Sequence, residues 1–192
     1  MIGVMPGLKT VSSTFIMPVP DFRGEPKVFL FADCAVVPNP TAEQLADIAI
    51  CTALTRKAII GDEPKVALLS FSTLGSAKDE LVDKVISAKA ILDERKVDFE
   101  YDGELQLDAA LIPEVAIRKA PQSPIAGKAN TLIFPDLQAG NIGYKLVQYI
   151  GKVKAIGPII QGLAAPASDL SRGCSYEDIV NTVAYVLLLA AQ

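Results

Sequence analysis

The sequence predicts an α/β fold with three layers, α/β/α, around a largely parallel sheet. Three observations predict it. Short runs such as 27–32 (KVFLFA) and 65–70 (KVALLS) are apolar almost without alternation, as strands covered on both faces are. Longer segments with apolar residues at helical spacing separate these runs, and that alternation builds a parallel sheet with helices on both sides. Half of the 192 residues are hydrophobic (51%), enough for a well-buried core and for an interface besides.

Each element has its own signal. Residues 10–17 (TVSSTFIM) are rich in β-branched side chains and predict the first strand; 27–32 is the second. Pro38, Asn39 and Pro40 break the chain. Thr41 then caps a helix, with Gln44 three residues on completing a capping box. Leu45, Ile48, Ala49 and Thr52 keep helical spacing, and Gly61 stops the helix after about Ile60. Residues 65–70 make a third strand and 71–77 (FSTLGSA) a loop of small residues. A helix over 79–94 carries Leu81, Val82, Val85 and Ile86 on one side. Residues 97–101 predict a short strand, and 107–112 a short helix ended by Pro113. A turn at 121–124 (PQSP) leads to a strand at 130–134 (NTLIF), a helix over 137–150 and a strand over 153–163 with a Gly-Pro irregularity. Ser175 starts the last helix.

Composition excludes several functions. The formal net charge is −4, and no basic face for nucleic acid is visible. The three cysteines, Cys34, Cys51 and Cys174, are far apart and odd in number, so no disulfide framework is expected; without histidine, no metal site is expected either. Free thiols suit a reducing, cytoplasmic setting. Residues 1–10 carry Gly and Pro where a signal peptide needs an apolar run. The longest apolar stretch, 179–191, is broken early by Asn181 and Thr182 and is too short for a bilayer about 30 Å thick, so no membrane role is expected.

Ligands of such folds bind beyond the carboxyl ends of the strands. Three loops are candidates there, at 70–77, 135–143 and 161–175, and the expectation is that they form one site. In the first, Ser70, Ser72, Thr73, Gly75 and Ser76 offer hydroxyls and N–H groups that suit a phosphate; the same residues also suit a plain helix cap and turn. The chain has neither a G-x-x-x-x-G-K-[ST] loop nor a G-x-G-x-x-G fingerprint, which argues against a P-loop nucleotidase and a standard dinucleotide site. In the second, Asn141 and Lys145 either face a ligand or follow a helix capped by Asp136. Gly140 and Gly143 each cost a helix about 1 kcal/mol relative to alanine, so a need for space is expected there.

The third loop leads into the richest segment, Ser168-Asp169-Leu170-Ser171-Arg172-Gly173-Cys174-Ser175-Tyr176-Glu177-Asp178. With no histidine in the chain, proton transfer at neutral pH falls to a carboxylate, a thiol or a lysine. Arg172 beside a helix start is well placed for a phosphate. Asp178, three residues after Ser175, also fits a capping-box variant. Cys174 precedes the helix, but Glu177 and Asp178 work against a thiolate there.

The segment 168–180 (SDLSRGCSYEDIV) resembles the C-terminal signature of phosphotransacetylases, the phosphate acetyltransferase/butyryltransferase family. Segments 31–49 (FADCAVVPNPTAEQLADIA), 65–77 (KVALLSFSTLGSA), 134–148 (FPDLQAGNIGYKLVQ) and 155–173 (AIGPIIQGLAAPASDLSRG) are similar to the family in the same order. The resemblance covers essentially the whole chain. It implies reversible conversion of acetyl-CoA and phosphate into CoA and acetyl phosphate, with CoA as substrate and no tightly bound cofactor. It also implies a fold like isocitrate dehydrogenase, with two α/β domains and the site in the cleft between them. Carried over by motif, Asp178 is the general base on the CoA thiol, Arg172 holds the phosphoryl group and Ser171 bonds the reacting centre. Ser70, Ser72, Thr73, Gly75, Ser76, Asn141, Lys145 and Cys174 are the expected substrate- and CoA-binding residues.

Two departures from the family pattern stand out. Family members are longer, so residues 1–192 correspond to the second, C-terminal domain, with the N-terminal domain and one cleft wall absent. Tyr149 stands where the family usually has arginine. The alternatives are a non-catalytic acetyl-CoA-binding and oligomerisation module, like the one fused to some bacterial malic enzymes, and a phosphate butyryltransferase. The apolar last helix adds the expectation of a homodimer or larger assembly.

Overall fold

The computed structural model describes every residue except Met1, Ser171 and Gln192. Seven strands form one sheet in the order β4-β3-β5-β2-β1-β6-β7. The four strands β4 (Glu100–Leu105), β3 (Lys65–Leu69), β5 (Thr131–Ile133) and β2 (Glu25–Ala32) are parallel. β1 (Ser12–Phe22) is antiparallel to β2 and to β6 (Ile156–Gln161), and β7 (Ala167–Ser168) is antiparallel to β6. A tight turn makes β1 antiparallel. Arg23 (φ 62°) and Gly24 (φ 93°) both have positive φ, as the turns that best join twisted hairpin strands require.

Helices cover both faces, as expected. One face carries α1 (Ala42–Ile59), α2 (Glu80–Arg95) and α6 (Tyr176–Ala190), packed on Ile16, Leu30, Ala32, Val66, Leu68 and Ile159. The other carries α3 (Leu107–Leu111) and α5 (Leu137–Lys145), packed on Phe15, Met17, Phe29, Phe31 and Leu132, with α4 (Pro113–Lys119) set against α3. Thr41 and Gln44 form the capping box, and Leu45, Ile48, Ala49 and Thr52 are buried along α1. Such a cap contributes about 1 kcal/mol.

Three local readings are corrected. The fourth strand lies at Glu100–Leu105 rather than 97–101, because Val97 and Phe99 pack against the α1–α2 cluster before the strand starts, while the polar stretch at 102–104 enters the sheet. The short helix expected over 107–112 is α3, which stops before Pro113; the same proline begins α4, since at the first helical position it removes only an N–H that has no intrahelical partner. The helix expected over 137–150 is α for nine residues and then a π-helical turn, Leu146–Ile150. The strand expected over 153–163 is shorter, at Ile156–Gln161, and the two-residue β7 left no pattern to read.

Candidate functional site

The loop at 70–77 leaves the carboxyl end of β3 and is closed on itself. Ser72 Oγ donates to Glu104 Oε1 (2.8 Å), and the Gly75 N–H donates to the same oxygen (2.7 Å). The Leu74 N–H bonds the Glu104 carbonyl (3.1 Å). Ser72 Oγ accepts from the Ala77 N–H, and Ser76 Oγ from the Thr73 N–H. The Ser72 N–H bonds Ser70 Oγ, and Thr73 Oγ1 accepts from the Gln106 N–H. Ser72 and Thr73 are buried. The phosphate cradle expected from Ser72, Thr73, Gly75 and Ser76 is thus already engaged by the chain's own groups. Phe71 and Leu74 stand exposed on it.

The second loop follows β5. Asp136 caps α5 by accepting from the Ala139 N–H (2.9 Å). Asn141 Nδ2 donates to the Cys34 carbonyl (3.0 Å), and Lys145 Nζ to Asn141 Oδ1 (2.8 Å). These residues therefore join α5 to the segment after β2, which was not among the three candidate loops. Its organiser is Asp33, which is buried. Asp33 Oδ1 accepts from Ser13 Oγ, Ser13 N, Ala35 N and Val36 N, and Oδ2 from Val37 N. Five donors offset the cost of burying that charge. The signs in the sequence are an acid at the end of an apolar run and its place within the family-like segment 31–49.

The third loop turns at Gly162 and returns along β6. Ser168 pairs with Ile159, and Ser168 Oγ donates to the Pro158 carbonyl (2.6 Å). Ser171 lies outside the described residues. Arg172 is exposed and makes no ion pair among the described residues; Cys174 is half-buried. Ser175 caps α6 in a reciprocal box. Asp178 Oδ2 accepts from the Ser175 N–H (2.8 Å) and from Ser175 Oγ (2.8 Å), and the Asp178 N–H bonds Ser175 Oγ (3.2 Å). Those bonds, with Lys154 nearby, hold the Asp178 carboxyl below the usual carboxylate range. Asp178 Oδ1 makes no hydrogen bond among the described residues.

The three loops do not converge within the chain. Ser72, Gly75 and Asn141 lie beyond the carboxyl ends of β3 and β5. Glu177 pairs with Lys154 (3.1 Å), which precedes the amino end of β6. α6 sits on the α1 face of the sheet and α5 on the opposite face. The first half of the third loop lines a separate cavity of about 480 Å³, between Leu54 and Thr55 of α1, Gly162, Pro166 and Leu189. Neither Arg172 nor Asp178 lines it. Among the described residues no cluster suits a metal ion, and no helix is long and apolar enough to cross a membrane.

A family model described as phosphate acetyl/butaryl transferase matches residues 1–187. The chain is 63% identical over 185 residues to a phosphate acetyltransferase of Thermoanaerobacterium thermosaccharolyticum, covering 96% of the chain and 56% of that protein. It is 60% identical over 191 residues to a phosphate acetyltransferase of Clostridium acetobutylicum, covering 99% and 57%. A solved phosphotransacetylase of Streptococcus pyogenes superposes with a TM-score of 0.92 at 49% identity, over 99% of this chain and 56% of that one. The chain thus spans little more than half the length of the curated relatives it matches.

Proposed function

The chain belongs to the phosphate acetyl/butaryl transferase family, and from that premise we propose that it is the second-domain portion of a phosphate acetyltransferase, which moves an acetyl group reversibly between CoA and phosphate. The observation that supports this most is the state of Asp178. One carboxylate oxygen is fixed by Ser175, the other makes no hydrogen bond among the described residues, and the exposed Arg172 lies just before the same helix. The cap orients the carboxylate, and its bonds from Ser175 further favour the deprotonated form. Asp178 Oδ1 takes the proton of the CoA thiol as the sulfur attacks the acetyl carbonyl, with no acyl-enzyme. A free thiol is mostly protonated at pH 7, so a positioned acceptor lowers the barrier. Arg172 holds the phosphoryl group and offsets charge on the departing phosphate. Ser171 has the part of a hydrogen-bond donor at the reacting centre.

The second cleft wall would come from an N-terminal domain that the longer relatives' extra length can hold. That accounts for three loops that do not meet within the chain. α6 turns Tyr176, Val180, Val183 and Leu187 outward, each more than half exposed. Such an apolar stripe fits burial in an assembly, for which a homodimer is the proposed form. Three free cysteines fit a cytoplasmic setting.

The alternative is a non-catalytic acetyl-CoA-binding module, favoured by Tyr149, 74% exposed where the family usually carries arginine. A phosphate butyryltransferase is the same chemistry on a longer acyl chain. Thiol release from acetyl-CoA and phosphate tests the reading. The chain alone should turn over weakly or not at all, and the chain joined to the N-terminal portion of a family member should be active. An inactive joined form that still binds acetyl-CoA would favour the module. One that binds no acetyl-CoA would end both readings.

A further inference from the structure

α6 lays one face on the sheet. Tyr185 and Leu189 on that face pack with Ile16, Leu30, Ile156 and Ile159. Asp178, Thr182, Tyr185 and Leu189 follow one another at helical spacing, so the same face is apolar at one end and polar at the end that carries Asp178. Thr182 is 3% exposed, and among the described residues its Oγ1 is the one buried side-chain oxygen or nitrogen without a hydrogen-bond partner. An unpaired buried hydroxyl costs stability, and native structures keep few of them. Thr52, buried in α1, meets the same problem by donating to the Ile48 carbonyl four residues back (2.7 Å). The equivalent acceptor for Thr182 is the Asp178 carbonyl, and Thr182 does not use it.

The turn before Thr182 carries the other unpaired group. Asp178 Oδ2 takes both bonds from Ser175, and Oδ1 takes none among the described residues. Helical residues four apart have Cβ atoms about 5–6 Å from each other, so rotation about one side-chain bond brings a threonine hydroxyl within reach of the carboxylate one turn back. While the half-buried Asp178 meets solvent, that pairing gains little. It gains more once a ligand takes the solvent's place, because a hydrogen bond to a charged group strengthens as the local dielectric falls.

We propose that Thr182 is a positioning residue for Asp178. When CoA covers the carboxylate, the Thr182 hydroxyl donates to Oδ1. Both carboxylate oxygens are then held, and the remaining lone pair of Oδ1 accepts the thiol proton as sulfur bonds the acetyl carbon and phosphate leaves. Thr182 keeps its own proton throughout. A hydroxyl left unpaired in the resting fold is thus in place for the loaded one. The role rests on the acetyltransferase reading.

The experiment compares wild type, Thr182→Val and Thr182→Ser in two ways. Thermal melts are taken on the whole chain, and thioester formation from acetyl phosphate and CoA on the chain joined to the N-terminal portion of a family member. Thr182→Val removes the hydroxyl and keeps the shape, so its Tm should be unchanged or raised. Its kcat should fall by about tenfold to a hundredfold, the scale of one hydrogen bond to a charged group, with KM for CoA within about twofold of wild type. Thr182→Ser keeps the hydroxyl and loses a buried methyl, so its Tm should fall by about 2–4 °C while most of kcat is restored. A purely structural residue would give the reverse order, with the less stable serine form the less active. Wild-type kcat in Thr182→Val, or a serine form as slow as the valine form, overturns the role. A Tm in Thr182→Val as low as in Thr182→Ser overturns it too, because the hydroxyl would then be paired at rest. A joined wild type that forms no thioester removes the acetyltransferase reading and the role together; an active one indifferent to Thr182→Val removes the role alone.

Discussion

Replacing Gly140 by alanine sets two effects of opposite sign against each other. In a helix interior alanine is favoured over glycine by about 1 kcal/mol. In the fold, a Cβ at 140 runs into the carbonyl oxygen of Asp33 and lies 3.2 Å from Cys34 Sγ. That segment yields poorly, because five donors hold the Asp33 carboxylate and the Phe134 N–H bonds the Ala32 carbonyl (2.7 Å). So α5 must move away from it. Overpacking of this kind costs about 1–3 kcal/mol. The movement also weakens two hydrogen bonds of 3.0 Å, Asn141 Nδ2 to the Cys34 carbonyl and the Leu137 N–H to the Pro38 carbonyl, at about 1 kcal/mol each. Clash therefore outweighs propensity by about 2–4 kcal/mol. For a domain of this size that lowers Tm by about 5–15 °C. Circular-dichroism melts read the shift, with a urea transition of unchanged slope to exclude a denatured-state effect. Gly173→Ala is the control, since a Cβ there meets nothing within 4 Å. A Gly140→Ala chain with unchanged or raised Tm would refute the argument that α5 is docked to the Asp33 segment through the missing side chain.

In the joined, active form, Asp178→Asn keeps an acceptor for Ser175, so its melt should stay close to wild type while thiol release falls by two or more orders of magnitude. Ser175→Ala should do the opposite first, costing about 1 kcal/mol of helix stability; equal small effects of both on turnover would leave Asp178 only its cap. Burial pushes the Cys51 thiol up to about 12, and burial with Asp33 beside it pushes Cys34 well above its ordinary value. Iodoacetamide at pH 8 should therefore label Cys174 alone in the native chain and all three cysteines in denaturant, read by mass spectrometry; native labelling of Cys34 or Cys51 at the Cys174 rate would contradict the burial. Burial raises the Asp47 carboxyl, but hydrogen bonds from Arg95, the Lys9 N–H and Thr10 outweigh it and leave a net lowering. A lowered folded value contributes stability above the unfolded value and loses it as pH falls through the folded one. The Asp47→Asn defect in urea melts should thus be full at pH 7 and shrink below about pH 4; a defect independent of pH would show that packing, not charge, is lost.

Much of the fold is legible because it depends on short-range pattern. The Thr41–Gln44 and Ser175–Asp178 boxes involve residues three apart, and both form as read. The apolar runs at β2, β3 and β5 are buried, as runs without alternation must be. Glu100–Leu105 escapes that pattern: its Asp102, Gly103 and Glu104 are polar or small, and only pairing with β3 makes them a strand. The site is less legible. Ser72, Thr73, Gly75 and Ser76 have the composition of a phosphate loop whether their donors point outward or inward. Glu104, some thirty residues away, decides which.

The sequence alone determined the class of fold, the caps, the absence of histidine chemistry and the likeness to a family, since each is set by residue type and local spacing. The tertiary structure decided where the polar groups point. It turned Glu104 into the loop's internal anion, made Asp33 the anchor of α5, and put the Asp178 helix and the Asn141 helix on opposite faces of one sheet. A hydrogen bond between residues far apart in the chain leaves no periodic trace in sequence, and its partner is fixed only when the sheet brings the two together.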